Sequence, residues 1–242
     1  MRSFFMKDTA TLYLIPCTLG DNTDSIAPYV RDICQTLDCF VVENLRSARR
    51  YLRKIGFDKN FDEEVRFYEL DKHKLNIEEL FDFLQSNFFN QKNIGLLSEA
   101  GNPCIADPGA LVVELTHQLK INVKPLVGPS SILLALIASG FNGQEFSFHG
   151  YLPIDADKRS KKIKQLESEA KKRGSTQIFM ETPYRNNKLI ASLIKILRPD
   201  TMLSIAVDLT LDTEYIATKK IATWQKEKID IHKRPAIFVI GG

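Results

Sequence analysis

Apolar positions along the chain fall into short runs and helical spacings that alternate regularly. Thr11 to Ile15 (TLYLI) is a continuous apolar, β-rich run of strand length, ended by Pro16. Helical spacing follows at Ile26, Val30, Ile33 and Leu37. Cys39 to Val42 reads as a second buried strand, and Leu45, Ala48, Leu52 and Ile55 as a helix closed by Gly56 in the C′ position. Val65 to Leu70 predicts a third strand. Asn76 with Glu79 resembles a capping box ahead of Leu80, Phe83 and Leu84. Ile94 to Ser98 predicts a fourth strand, Leu111 to Leu119 a helix, and Val123 to Val127 a fifth strand. Such alternation implies βαβ units and a parallel sheet covered on both faces.

Beyond about residue 140 the pattern changes. Phe146–Leu152, Gln177–Glu181, Leu203–Val207, Glu214–Ala217 and Ala236–Ile240 read as strands, with helical stretches at 158–173, 186–197 and 221–227. Glu214–Ala217 follows the preceding strand too closely for a helical crossover, so antiparallel pairing is expected there. The fold class is therefore α/β in two domains, 1–127 with a mostly parallel sheet and helices on both faces, and 128–242 with a mixed α+β sheet.

Composition narrows the function classes. Of 242 residues, 44% are hydrophobic and the net charge is only +3, which excludes disorder as the dominant state. No apolar run reaches the roughly 18 to 20 residues that span a bilayer. Met1 to Lys7 is too short and interrupted for a secretory h-region, so a cytoplasmic protein is expected. Cys17, Cys34, Cys39 and Cys104 form no CxxC or Cys/His cluster, so buried thiols are expected, and neither a metal site nor a disulfide framework.

Ligands of open parallel sheets bind beyond the carboxyl ends of the strands. Three loops there are unusual: Pro16–Asp21, Glu99–Gly109 and Gly128–Ser131, each rich in residues that fix tight turns and leave main-chain groups free. They carry no GxGxxG, no GxxxxGK[ST] and no GxSxG, which disfavours dinucleotide, P-loop and hydrolase chemistry. His73, His117, His149 and His232 are scattered.

Read together, GLLSEAGNPCIADPG (95–109), KPLVGPSSILLALIASG (124–140), FSFHGYLP (146–153) and IFMETPYR (178–185) resemble the tetrapyrrole-methylase superfamily, and within it the ribosomal RNA small-subunit methyltransferase I subfamily. The resemblance runs from about Leu12 to Gly242. It implies S-adenosylmethionine bound in a cleft between two α/β domains. By motif, Pro16 lies beneath the cofactor, Ala100, Gly101 and Asn102 approach its amino-acid and ribose portions, and Ile105 and Ala106 pack beside it. Ser130 and Ser131 open the helix after strand five and meet the cofactor with NH groups and hydroxyls. Met180, Asp208 and Ala236 fall where the family lines the adenine side.

The resemblance further implies 2′-O-methylation of ribose in small-subunit ribosomal RNA, with the small ribosomal subunit as partner, no membrane, and a homodimer. A ribose hydroxyl is a poor nucleophile, so a base or polarising group is expected. Glu43, Arg46, Glu181, Arg185 and Asp208 are the candidates, with Glu181 and Arg185 favoured for holding substrate. The chain departs from the subfamily at Glu43-Asn44-Leu45-Arg46, where relatives read Glu-Asp-Thr-Arg, and at Leu211, where relatives have Lys. It has Lys233-Arg234-Pro235 for their Lys-Gly-Glu, and stops soon after the last strand. C-methylation of a tetrapyrrole or another small acceptor, or cofactor binding without activity, are the alternatives these departures keep open.

Charge placement adds two features. Arg46, Arg49, Arg50 and Arg53 form an arginine stripe at helical spacing, and Lys158 to Arg173 is a second basic block. Both suit a phosphate backbone.

Overall fold

The structure, a computed structural model, describes residues 10–70 and 75–241; the Met1 to Lys7 reading lies outside them. The chain divides into two compact units, Met1–Pro129 and Ser130–Gly242.

The first unit follows the alternation in order: β1 (Thr11–Ile15), α1 (Pro28–Thr36), β2 (Cys39–Val42), α2 (Leu45–Lys54), β3 (Arg66–Glu69), α3 (Ile77–Phe89), β4 (Ile94–Leu97), α4 (Gly109–Gln118) and β5 (Asn122–Pro125). All pairs are parallel, in the order β3-β2-β4-β1-β5. Alternate residues of each strand feed opposite faces. Phe40 and Val42 join Val30, Cys34, Ala48 and Leu52 of α1 and α2 in one core, while Cys39 and Val41 join Leu80, Leu84, Val112 and Leu115 of α3 and α4 in the other. Two buried faces explain why the strands read as unbroken apolar runs. Local chemistry sets the helix ends. Asn76 Oδ1 accepts from the amides of Glu78 and Glu79, and Gly56, at φ +93°, ends α2 in a left-handed turn.

This topology creates a switch point. β1 continues through α1 on one face to β2, whereas its neighbour β4 continues through α4 on the other face to β5. The connections after β1 and β4 therefore leave on opposite faces, and ligands of open parallel sheets bind at such a reversal.

The second unit comprises α5 (Ser131–Ser139), β6 (Phe146–Tyr151), α6 (Ala156–Arg173), β7 (Thr176–Met180), a 3-10 turn (Pro183–Arg185), α7 (Asn186–Ile196), β8 (Met202–Val207), β9 (Tyr215–Lys220), α8 (Ile221–Trp224) and β10 (Ala236–Gly241). Its sheet runs β6-β7-β10-β8-β9. The β6–β7 pair is parallel, and the β7–β10, β10–β8 and β8–β9 pairs are antiparallel. The expected antiparallel pairing is thus present, although β9 starts one residue later and ends three residues later than the sequence suggested. Ile163, Leu166, Leu189, Leu193, Phe179 and Phe238 share one core, where Trp224 donates to the Leu203 carbonyl at 3.0 Å. On the other side α5 packs against β8, β9 and β10.

Candidate functional site

The loops after β1 and β4 are tied to each other through main chain, and the loop after β5 packs against the first. Cys17 NH donates to the Gly101 carbonyl at 2.8 Å and Gly101 NH returns the bond to the Cys17 carbonyl at 3.2 Å. Gly101 thus spends both its main-chain groups on the neighbouring loop, and its φ of +69° favours glycine there. Tyr51 reaches from α2 to donate to the Pro16 carbonyl at 2.6 Å, and Cys17 Sγ donates to the Ser98 carbonyl at 3.1 Å. Burial pushes the Cys17 thiol and the Tyr51 hydroxyl far up, so both stay protonated donors rather than nucleophiles. Gly128 lies against Pro16: a Cβ there would stand 2.0 Å from the proline Cβ and 3.3 Å from Asn102 Oδ1.

Within the Glu99–Gly109 loop, Asp107 Oδ1 accepts from the amides of Cys104 (3.0 Å) and Gly109 (2.7 Å). Its second oxygen is buried without a partner among the described residues. Cys104 and Ala106 are held at φ +70° and +64°. Non-glycine residues rarely adopt that region, and it concentrates at ligand sites. Asp208, Thr210 and Lys233, in the second unit, share the same conformation.

Those second-unit residues lie at one edge of its sheet. β7 ends there with Met180, β8 with Val207 before Asp208, and β10 begins there with Ala236; Ile237 pairs with Met180 and Ala236 with Val207. Met180, Asp208 and Ala236 therefore come together although 56 residues separate the first from the last. Ala236 is buried and Met180 half-buried. The Asp208 carboxylate is engaged by Arg234 Nε at 2.7 Å and Thr213 Oγ1 at 2.8 Å.

The reacting-group candidates divide. Glu43 Oε2 accepts from the Glu99 amide at 3.2 Å, and Ser47 donates to the Glu99 carboxylate, so Glu43, Glu99 and the start of α2 form one polar rim. Arg46 on that helix is exposed. Glu181 is buried, and its Oε1 accepts from Thr182 NH (2.7 Å) and from Arg185 Nε (3.0 Å) and Nη2 (2.7 Å). The pair staples the turn between β7 and α7, so the substrate-holding part expected of Glu181 is already occupied by its own loop.

The arginine stripe is also half committed. Arg49 bonds Asp62 at 3.0 Å and lies over the Phe61 and Phe67 rings, while Arg53 donates to the carbonyls of Phe57 and Lys59 and stacks on Phe61. Only Arg46 and Arg50 of the stripe are exposed with no ion pair among the described residues. In the second basic block Arg159 is buried, so that block is not a uniform solvated face.

The family model for tetrapyrrole (corrin/porphyrin) methylases matches residues 11–225. The chain belongs to that family. It is an S-adenosylmethionine-dependent methyltransferase. It is 30% identical over 98% of its length to a protein named ribosomal RNA small subunit methyltransferase I from Buchnera aphidicola subsp. Baizongia pistaciae (strain Bp), covering 78% of that relative. A protein of the same name from Vibrio cholerae is also 30% identical, with 96% of this chain and 77% of the relative covered. Among solved structures, the methyltransferase CobJ superposes with a TM-score of 0.60 at 15% identity, covering 97% of this chain and 94% of its own, a likeness of fold.

The first-unit loops of this methylase fit the methyl donor. Pro16 is buried, and no hydrogen bond among the described residues engages the Asn102 side chain. Ile105 is 45% exposed beside Ala106, which offers apolar surface, and the unpartnered Asp107 oxygen is a spare acceptor of the kind a molecule rich in hydroxyl and ammonium donors would use. Ser130 caps α5, its Oγ accepting from the Leu133 amide at 3.4 Å, and Ser131 is the first helical residue. The described residues hold no cluster of metal-ligating side chains, and all four cysteines are free thiols. Tyr51, Glu99, Arg159 and Arg234 were not singled out as site residues in the sequence. Tyr51 could not have been, because nothing in a helical apolar pattern marks one aromatic hydroxyl as the support of a loop 35 residues away.

Proposed function

We propose that this methyltransferase modifies a ribose 2′-hydroxyl of small-subunit ribosomal RNA. The observation that carries the reading is the near full-length similarity to proteins named for that RNA. Arg46 and Arg50, exposed on α2 just beyond the end of β2, are cations open to RNA phosphates. In the reaction the donor's S–CH₃ bond breaks and an O–CH₃ bond forms. The ribose hydroxyl gives up its proton to an acceptor and the sulfur leaves as the neutral thioether. The protein's work is chiefly alignment at about 3 to 3.5 Å.

Residue parts follow by position. Pro16, Ala100, Asn102, Ile105, Ala106, Ser130 and Ser131 hold the donor, with Gly101 fixing the loop. Met180, Asp208 and Ala236 lie on its adenine side. Glu43, at the open rim, takes the proton, and Arg46 holds the adjoining phosphate, whereas Arg185 with Glu181 fixes the β7 turn. The two units are the two domains of this enzyme, which acts as a homodimer in the cytoplasm; exposed Leu133 and Ile137, one turn apart on α5, support pairing with a second copy.

Mass mapping of modified nucleosides in small-subunit RNA, from cells with and without the protein, tests the reading. One ribose methyl present only with the protein is the expected result. An unchanged ribose-methylation pattern overturns it, and methylation of a porphyrinoid in its place establishes the small-acceptor alternative.

A further inference from the structure

The carboxyl end of β7 opens on a pocket lined by Ile154, Arg159, Glu181, Arg185, Lys188 and Leu189. Three cations face one carboxylate. Arg185 and Glu181 satisfy each other, so Arg159 and Lys188 supply charge without a counter-ion among the described residues. Arg159 is 7% exposed, a rare setting for a guanidinium without a carboxylate partner. Its Nη1 donates to the Ile154 carbonyl at 2.7 Å, which fixes the group in place, while its Nε is buried with no partner. A buried, oriented guanidinium with an unused donor calls for an acceptor anion. Lys188 is exposed on the opening turn of α7, and no side chain caps that helix. The helix N-terminus adds to the positive potential there.

We infer that this pocket is a phosphate-binding site, in which Arg159 and Lys188 contact the anion and the Glu181–Arg185 pair forms its wall. A phosphate fits better than a carboxylate because the donors converge from two directions, the fixed Arg159 fork and the flexible Lys188 ammonium. The source is a backbone phosphate of RNA, an assignment that rests on the RNA reading above, or a free phosphate group, as in a mononucleotide.

The test is calorimetric titration of the full chain with inorganic phosphate, cytidine 5′-monophosphate, a mixed-sequence single-stranded RNA and its uncharged-backbone analogue. Lys188→Ala is the principal variant, because an exposed lysine can be removed without disturbing the core. Arg159→Gln is the second, and Lys172→Ala, exposed near the far end of α6, is the control. Lys188→Ala is expected to weaken each phosphate ligand about 10-fold and to lower the salt slope of RNA binding by about 0.7 to 1. Lys172→Ala should leave both unchanged. Tight binding of RNA alone identifies the backbone as the source, and equal binding of the mononucleotide identifies a free phosphate group. Equal affinities for Lys188→Ala and wild type, or equal losses in Lys188→Ala and Lys172→Ala, overturn the site. If phosphate binding depends on Lys188 but no methyl enters small-subunit RNA, the pocket stands and the RNA reading falls. Methylation with no effect of Lys188→Ala on binding removes the pocket alone.

Discussion

The two units hold their functional loops by different means. In the first, main chain binds main chain: Cys17 exchanges two hydrogen bonds with Gly101, Gly128 lies on Pro16, and no ion pair among the described residues fixes any of these contacts. In the second, buried carboxylates do the holding. Glu181 secures Arg185, Asp208 secures Arg234, and Glu167 accepts from the Arg198 amide and the Thr201 hydroxyl. The cause lies in the sheets. Parallel strands with both faces buried end at one rim, where successive loops meet backbone to backbone. The mixed sheet brings distant turns together at a rim without such pairing, so side chains must span the gap. One consequence is chemical: at the loop rims the first unit leaves Arg46 and Arg50 without an ion pair among the described residues, whereas the second engages Arg185 and Arg234 with its own carboxylates and keeps its spare cations, Arg159 and Lys188, in the pocket beside β7.

The sharpest way to break the contrast is steric. Gly128→Ala places a methyl 2.0 Å from Pro16 Cβ, so a loss of about 1 to 3 kcal/mol in urea unfolding and a fall of about 100-fold in S-adenosylhomocysteine affinity are expected. Gly143→Ala, with open space around it in the second unit, should change stability by less than about 0.5 kcal/mol. If the two substitutions behave alike in unfolding and calorimetry, close main-chain packing is not what holds the first site. Next in size is Arg234→Ala. It leaves the Asp208 carboxylate, 7% exposed, without its cation and should cost about 1 to 3 kcal/mol. Asp208→Asn combined with it should recover part of that loss in a double-mutant cycle; additive losses would show that the pair does not hold the turn.

The smallest effect sharpens the arginine contrast. Arg46→Ala and Arg50→Ala should each lower the salt slope of RNA binding by about 1 while stability stays within about 0.5 kcal/mol. Arg49→Ala should lose about 1 kcal/mol of stability with an unaltered slope, because its guanidinium is engaged by Asp62 and two phenylalanine rings. A slope that falls equally for all three would mean that the helix acts through general positive charge.

Much of the architecture was legible from the order of residues. The parallel unit was readable because burial on both faces writes apolar runs directly into β2 and β4. β9 was harder to bound, because its residues are half-exposed and Lys219 and Lys220 look like loop. The Gly- and Pro-rich loops were legible as tight turns, since such turns demand those residues locally. What no local pattern announced was which polar groups are already taken. Arg46 and Arg49 are the same residue type on one helix, yet Asp62, Phe61 and Phe67 claim only the second.

The sequence by itself determined the alternation of elements, the family and the places of the tight Gly- and Pro-rich turns, because periodicity, turn chemistry and motif are local. Only the tertiary structure decided that Gly101 ties two loops, that Glu181 and Arg185 satisfy each other, and that Arg159 is buried with a donor to spare. Hydrogen-bond satisfaction and desolvation depend on partners brought from far along the chain, and a residue's spare valence exists only once those partners have arrived.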